Sequence, residues 1–202
     1  EPQALLFLRQ LSANPGPHQL LAARALASPG ESAGGAVLRS VLQDGVAAVP
    51  ARVLAAEGLG LMGHSDDLRL LARQLDALPS DEDVAPLRQA IAAAIVDVSQ
   101  AAPAILTAQS LQWARSALGD RDWVVRSEAL LVLGDSEQSD DLQRISDLLA
   151  DSDVRVRRSA ARALGRRRDA SAVSSLRRAL SDSDGSVRQE AWASLGRLAK
   201  SL

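Results

Sequence analysis

Asp153-Val154-Arg155-Val156-Arg157-Arg158-Ser159-Ala160-Ala161-Arg162-Ala163-Leu164-Gly165 is the stretch that decides the fold. Val156, Ala160, Ala163 and Leu164 recur at i, i+4, i+7 and i+8, which is one face of an α-helix and no face of a strand. Asp153 stands where an N-cap carboxylate accepts otherwise unpaired backbone N–H groups. Gly165 stands where a left-handed C′ residue would end the helix. The same spelling returns without gaps from Asp122 through Val125-Arg126 to Leu133-Gly134, and from Asp184 through Val187-Arg188 to Leu195-Gly196. Both the valines and the glycines step by 31 residues. Looser copies precede them at His18-Gln19 to Leu26, Ala51-Arg52 to Leu59-Gly60, and Leu87-Arg88 to Ile95, at steps of 33, 36 and 38. Six copies in register define an internal repeat.

Each copy reads as helix, turn, helix. The second helix carries a stripe at Val173, Leu176 and Leu180. Its counterparts of Leu176 are Phe7, Leu38, Leu71, Ala114 and Ile145, and those of Leu180 are Leu11, Leu42, Leu75, Leu118 and Leu149. In the first helix, small residues recur where Ala160 stands, at Ala22, Ala55, Ala129 and Ala191, with Ile91 in the remaining copy. Small side chains there let helices approach closely. Ala161 lies one position round the helix, and a leucine there should cost less than one at Ala160 if the site is only partly buried. One helical pair cannot bury both of its apolar faces, so the pairs must stack. The expected fold is all-α: a right-handed α-solenoid, an armadillo-like superhelix of about six antiparallel helix pairs. It spans 1–202 as one domain, with regular repeats over 120–202 and degenerate ones over 1–119. On this register the chain opens with a second helix, closes with a first helix, and has a whole pair at neither end. Leu5, Leu6 and Leu8 at one end, and Leu198 and Leu202 at the other, then lack a covering neighbour. These uncovered ends lead to the expectation that the chain continues beyond one end or pairs end to end, and the absence of an initial methionine to the expectation that it is part of a longer or processed protein. Pro79 to Asp83 and the segment around Pro103 read as loops of enlarged repeats.

Composition fits this reading. Hydrophobic residues make up 47 % of the 202 positions but aromatics only 2 %, so leucine, alanine and valine must fill the interior. A formal net charge of −2 gives no general attraction to nucleic acid or an anionic surface. The chain has no cysteine, which excludes disulfides, zinc–thiolate sites and thiol nucleophiles. No apolar run approaches the roughly 20 residues of a membrane helix. These observations leave the compartment open between cytoplasm and periplasm.

The pattern Asp-x-x-Val-Arg-x-x-Ala-x-x-x-Leu-Gly, clearest from Asp153 to Gly165, resembles the short bacterial HEAT repeats first associated with phycobilin lyases. The resemblance is specific over about 120–202 and traceable before it. It implies an armadillo-like superhelix with the second helices lining the concave side. It also implies an interaction scaffold more than an activity, and no catalytic residue of the lyase members matches here position by position.

Several side chains are candidates for function. The arginine after the first-helix valine recurs as Arg52, Arg88, Arg126, Arg157 and Arg188. In HEAT repeats such an arginine commonly bonds an aspartate of the inter-repeat loop, which makes Asp122, Asp153 and Asp184 the expected partners and the role structural. On the second helices, the positions expected to face the inner surface supply Arg9, Arg39, Arg73, Arg115, Arg177 and Arg178. A row of guanidinium groups suits carboxylates or phosphates, gripped through paired hydrogen bonds. An ordinary solvated helix face is the alternative. Trp113 lies near this row and is the candidate apolar anchor. Trp123 and Trp192 read as packing residues. Arg166, Arg167 and Arg168 make one repeat locally basic, but Asp151, Asp153 and Asp169 interrupt the patch. His18 and His64 have no companion at metal-ligand spacing, and no phosphate-cradling glycine motif or nucleophile elbow occurs.

The expected function is therefore a non-catalytic protein-binding scaffold that uses the concave face. The expected partner is a protein with an acidic segment, and neither cofactor nor metal is called for. Two alternatives remain: an accessory or lyase-like subunit acting on a chromophore-bearing protein, and a nucleic-acid-binding module. Replacing Arg39, Arg73 and Arg115 together by serine is expected to leave stability nearly unchanged, as exposed charges do.

Overall fold

The computed structural model describes residues 2–29, 32–79, 81–101 and 108–200. The segment around Pro103 and Leu202 lie outside them. Twelve α-helices and four short 3-10 turns make up the described elements, with no strand among the described residues. The chain divides into two compact units, Glu1–Ile105 and Leu106–Leu202. The first holds α1 (Pro2–Ala13), α2 (Gln19–Leu26), α3 (Gly35–Gln43), α4 (Val49–Met62), α5 (Leu68–Ala77) and α6 (Ala85–Ala101). The second holds α7 (Ala108–Ala117), α8 (Trp123–Leu133), α9 (Ser139–Asp147), α10 (Val154–Arg166), α11 (Val173–Ala179) and α12 (Gly185–Ala199).

Each unit is an α-solenoid stack of three antiparallel pairs. The first helices of the repeat form a continuous layer, α2 on α4 on α6 in one unit and α8 on α10 on α12 in the other. The second helices lie alongside them. Each second helix packs most closely on the first helix that follows it, giving α1/α2, α3/α4 and α5/α6, then α7/α8, α9/α10 and α11/α12. The packed pair is thus offset by one helix from the pair that the sequence spelling suggests. Both units begin and end on whole packed pairs, which corrects the expectation of half-pairs at the ends. Loop length does not select this pairing, since the loop 134–138 ahead of α9 is shorter than 148–153 after it; the apolar stripe of each second helix is covered chiefly by the first helix that follows.

Most of the predicted core positions are buried, but Phe7 is exposed, and Leu11, Leu118, Leu149, Val173 and Leu180 are half-buried. Leu38, Leu71, Ala114, Ile145 and Leu176 are fully covered, as are Ala55, Ile91, Ala129, Ala160 and Ala191. A fully buried leucine contributes about 1.5–3 kcal/mol of transfer free energy, so this layer supplies most of the drive to fold. Ala161 is as buried as Ala160. The condition for a lower cost there, partial burial, is not met because α10 lies between α8 and α12 and is packed on both flanks. Leucine should therefore be equally unwelcome at both positions.

The repeat glycine has a different task from the one its position suggested. Gly165 lies inside α10, and a Cβ there would meet the Oγ of Ser194 at 2.5 Å and its Cα at 2.9 Å. Gly60 meets Ala94 and Gly134 meets Ala163 in the same way. Glycine on one first helix against a small residue on the next sets the close spacing of the layer. The left-handed helix end occurs instead at Gly63, φ +67, which follows α4. Asp122, Asp153 and Asp184 are N-caps as expected, each accepting a backbone N–H two residues on at 2.8 Å. Such a cap contributes about 1 kcal/mol.

Candidate functional site

The arginines of the two helix types do different work. On the first helices, Arg126 donates Nη1 to the carbonyls of Asp120 and Arg121, and its Nε and Nη2 fork takes Asp151 at 2.9 and 2.8 Å. Arg157 repeats this with Asp151 and Ser152 carbonyls and with Asp182 at 2.8 and 3.0 Å. One guanidinium thus closes the carbonyl end of its own repeat and ties the next. The aspartates involved are Asp151 and Asp182, two positions before the N-caps. Asp122, Asp153 and Asp184 were the expected partners. Their carboxylates are taken by their own helix N-termini, which leaves the preceding aspartate for the arginine. In the first unit the same arginines find other acceptors: Arg52 bonds the Leu42 carbonyl and Gln74, and Arg88 the carbonyls of Leu75 and Leu78.

The second-helix row divides in two. Arg39 on α3 grips Asp67, just ahead of α5, at 2.6 and 3.1 Å, and Asp67 is buried. Arg115 on α7 grips Asp141 on α9 at 2.7 and 2.8 Å and also bonds Gln138. Asp141 is completely buried and accepts a further bond from the Ser136 hydroxyl at 2.5 Å. These two arginines are ties between successive second helices. Serine at both would strand buried carboxylates, so the Arg39, Arg73, Arg115 triple variant should lose stability, contrary to the expectation from sequence. Arg9, Arg73, Arg177 and Arg178 are exposed. Arg73 bonds only its own helix, at the Arg69 carbonyl, and Arg178 touches Ser175 at 3.5 Å.

Trp113 is not a surface anchor. It is 5 % exposed and sits in the core of the second unit, because its helix turns that face toward α8. Trp123 packs as expected, with the Arg155 guanidinium 3.5 Å over its ring centroid. Trp192 reverses its expectation and is 71 % exposed. Leu198, expected to be uncovered, is buried on the stripe formed by Val187, Ala191, Ser194 and Leu198. Of the three leucines expected to be uncovered at the other end, Leu5 and Leu6 are exposed and Leu8 is half-buried.

The second unit contains two cavities bearing on this site. One, of about 420 Å³, lies along α9 and α11 and is lined by Gln143, Ser146, Asp147, Arg178, Ser181 and Asp182. It mixes the cationic donor Arg178 with the carboxylate acceptors Asp147 and Asp182 and with neutral polar groups. The other, of about 610 Å³, is lined by Asp135, Gly165, Arg166, Arg168, Arg197 and Lys200. There Arg166 is paired with Asp135, and Arg167 caps the carbonyls of Leu133 and Gln138. Two arginines of the basic run are therefore spent on a carboxylate, on the last carbonyl of α8, where a cation complements the helix dipole, and on the carbonyl just ahead of α9. No group of three side chains suited to hold a metal gathers among the described residues, and no helix there is long and apolar enough to cross a membrane.

The electrostatics of the second unit lead to an acid-lability prediction. Burial alone would push the Asp141 carboxyl up, but hydrogen bonds from Arg115 and Ser136 hold it below its ordinary value. Arg157 lowers Asp182, the Ser171 N–H lowers Asp169, and Ser186 lowers Asp184. A hydrogen bond from Arg155 brings Asp153 down to about 2. A depressed carboxyl stabilises the fold at pH above its unfolded value, near 3.9, and that contribution is lost as pH falls through the folded value. In the first unit, desolvation instead raises Asp97, which works in the opposite direction. All three tryptophans lie in the second unit. Between about pH 4 and 2, tryptophan emission should therefore shift before half of the helical circular dichroism is lost. Loss of the dichroism first, or both together, would show that the second unit is not the acid-labile one.

Comparison with known proteins fits this architecture. The HEAT-repeat pattern matches residues 76–161 and 144–201. None of the curated proteins compared gave a match. Among solved structures, one engineered protein is 21 % identical with a TM-score of 0.61, over 98 % of this chain and 97 % of its own. Another engineered protein is 22 % identical with a TM-score of 0.62, over 95 % of this chain and 57 % of its own. Human deoxyhypusine hydroxylase in complex with glycerol is 18 % identical with a TM-score of 0.46, over 98 % and 89 % of the two chains. At these identities the likeness to the two engineered proteins concerns the fold alone.

Proposed function

The chain belongs to the HEAT-repeat family, and from that premise we propose that it is a non-catalytic protein-binding scaffold whose second-helix surface takes an acidic segment of a partner. The observation that carries this reading is the division among the second-helix arginines. Arg39 and Arg115 are consumed by buried aspartates, whereas Arg177 and Arg178 stay exposed on α11, with Arg178 on the open groove beside α9. An exposed guanidinium fork beside a groove recognises a carboxylate through two parallel bonds. Gln143, exposed on the opposite wall, offers its side-chain amide to a partner backbone. In the first unit, Arg73 on α5 offers a separate contact of the same kind. The pattern from Asp153 to Gly165 supports placing these repeats with the short phycobilin-lyase type, as scaffolds more than as catalysts.

The test is a comparative capture. The parent protein and an Arg177→Ser, Arg178→Ser variant are each used as bait, and the recovered proteins are quantified by mass spectrometry. The variant should melt within about 2 °C of the parent, since exposed charges contribute little to stability. It should lose the partner that the parent retains at low salt, and that loss should shrink as salt screens the parent's own binding. Recovery of the same proteins in the same amounts by both baits removes the α11 arginines from any binding surface.

A further inference from the structure

The repeat allows each position to be compared with its counterparts in the other copies, and four positions stand apart. Trp192 on α12 is 71 % exposed, yet Ala23, Ala56, Ala92, Leu130 and Ala161 at the same position are all at 0 %. Gly196 follows the same rule. Gly60, Gly134 and Gly165 are pressed against a small residue of the next first helix, whereas a Cβ on Gly196 meets nothing within 4 Å. At the other end, Phe7 on α1 is 59 % exposed, while Leu38, Leu71, Ala114, Ile145 and Leu176 are fully buried. Ala25 on α2 is also exposed, while Gly58, Ala94, Val132, Ala163 and Ser194 at its position are buried.

These four residues are the two sides of one contact. Inside each unit, the glycine of one first helix receives the small residue of the next: Gly60 receives Ala94, Gly134 receives Ala163, and Gly165 receives Ser194. Gly196 is the receiving member with nothing on it, and Ala25 is the donating member with nothing beneath it. Around them lie Trp192 and a half-buried Leu195 on one face, and Leu6, Phe7 and Leu21 on the other, the last three 56–59 % exposed. We propose that the α12 face bearing Trp192 and Gly196 receives the α1/α2 face bearing Phe7 and Ala25 of a second copy of this chain. Copies then join head to tail by one more contact of the kind that already builds each unit. A second copy is the fitting occupant because the same molecule carries both halves of the contact, each at the register of an existing internal interface. The contact is heterologous, so a copy joined at one face keeps its other face open and growth does not stop at two.

A pair of complementary blocks tests this. Gly196→Glu blocks the receiving face and Ala25→Glu the donating face. Neither site is buried, and helix propensity favours the first change, so both variants should fold with parental circular dichroism. Sedimentation velocity of the parent should show a weight-average mass that rises with concentration past that of a dimer, with tryptophan emission moving to the blue as Trp192 is covered. Each variant alone should stay monomeric. An equimolar mixture should return a dimer and nothing larger, because only one good face of each kind remains. A parent that stays monomeric across about 1–500 µM overturns the proposal, since Kd would lie above that range. So does a variant that still dimerises alone, which would mean a like-to-like contact instead.

Discussion

Asp141→Ala should lower the unfolding free energy of the second unit by about 3 kcal/mol, at the lower end of what breaking a buried ion pair costs. The carboxylate is wholly buried, takes both arms of Arg115, and accepts the Ser136 hydroxyl. Its removal leaves Ser136 without that acceptor and the guanidinium without its counter-charge. The arginine is 28 % exposed and recovers part of the loss by turning to water, which is why the lower end applies. Arg115→Met should act differently. It leaves the buried carboxylate with the desolvation that raises its pKa and without the main group that lowers it. The sign of its contribution then reverses: the variant should be least stable near neutral pH and approach the parent as acid protonates Asp141. Urea denaturation at pH 7 and pH 4.5, followed by tryptophan emission, measures both. A cost under about 1 kcal/mol for Asp141→Ala at pH 7 would place this pair among surface bridges.

The second large effect belongs to the repeat glycine. Gly165→Ala should cost about 2–3 kcal/mol, although alanine is the better helix former by about 1 kcal/mol. The added methyl would lie 2.9 Å from the Cα of Ser194, which is backbone and cannot swing aside. Ser194 also donates its hydroxyl to the Ala161 carbonyl at 2.8 Å, a buried bond that a shift of α12 would break. Gly196→Ala, at the same position one repeat later, meets nothing within 4 Å and should stabilise by up to about 1 kcal/mol. Opposite signs for one substitution at equivalent positions are the expected result of thermal melts. Equal signs would show that helix propensity, and not the α10/α12 approach, governs these sites.

Much of the fold was legible because the repeat is written in local terms. The stripe from Val156 to Leu164 and the Asp153 cap concern residues within about two turns of one another, and the 31-residue step is the same local spelling repeated. Periodicity reports such relations directly. The structural role of Arg126 and Arg157 was legible for the same reason, since the arginine recurs wherever the repeat does. Its carboxylate partner was misplaced by two residues, because an aspartate can cap a helix or hold an arginine and the sequence spells both alike.

The candidate site was less legible, and here only tertiary structure decided. Arg39 and Arg178 are both arginines on a second helix. Which one is bound depends on whether a buried aspartate stands on or just ahead of the next second helix, 28 residues away in the case of Arg39 and Asp67. Trp113 and Trp192 exchanged their expected roles because exposure at a given helix phase depends on the neighbouring pair. Trp113 turns toward α8 and is covered, whereas the position of Trp192 is covered only by a following pair. Helix phase, caps and repeat length are readable along the chain, because they are set by hydrogen bonds and side-chain spacing within one stretch of it. Tertiary structure alone decided which charges are neutralised, which glycine is crowded and which aromatic meets water, because each of these is settled by atoms from a different repeat.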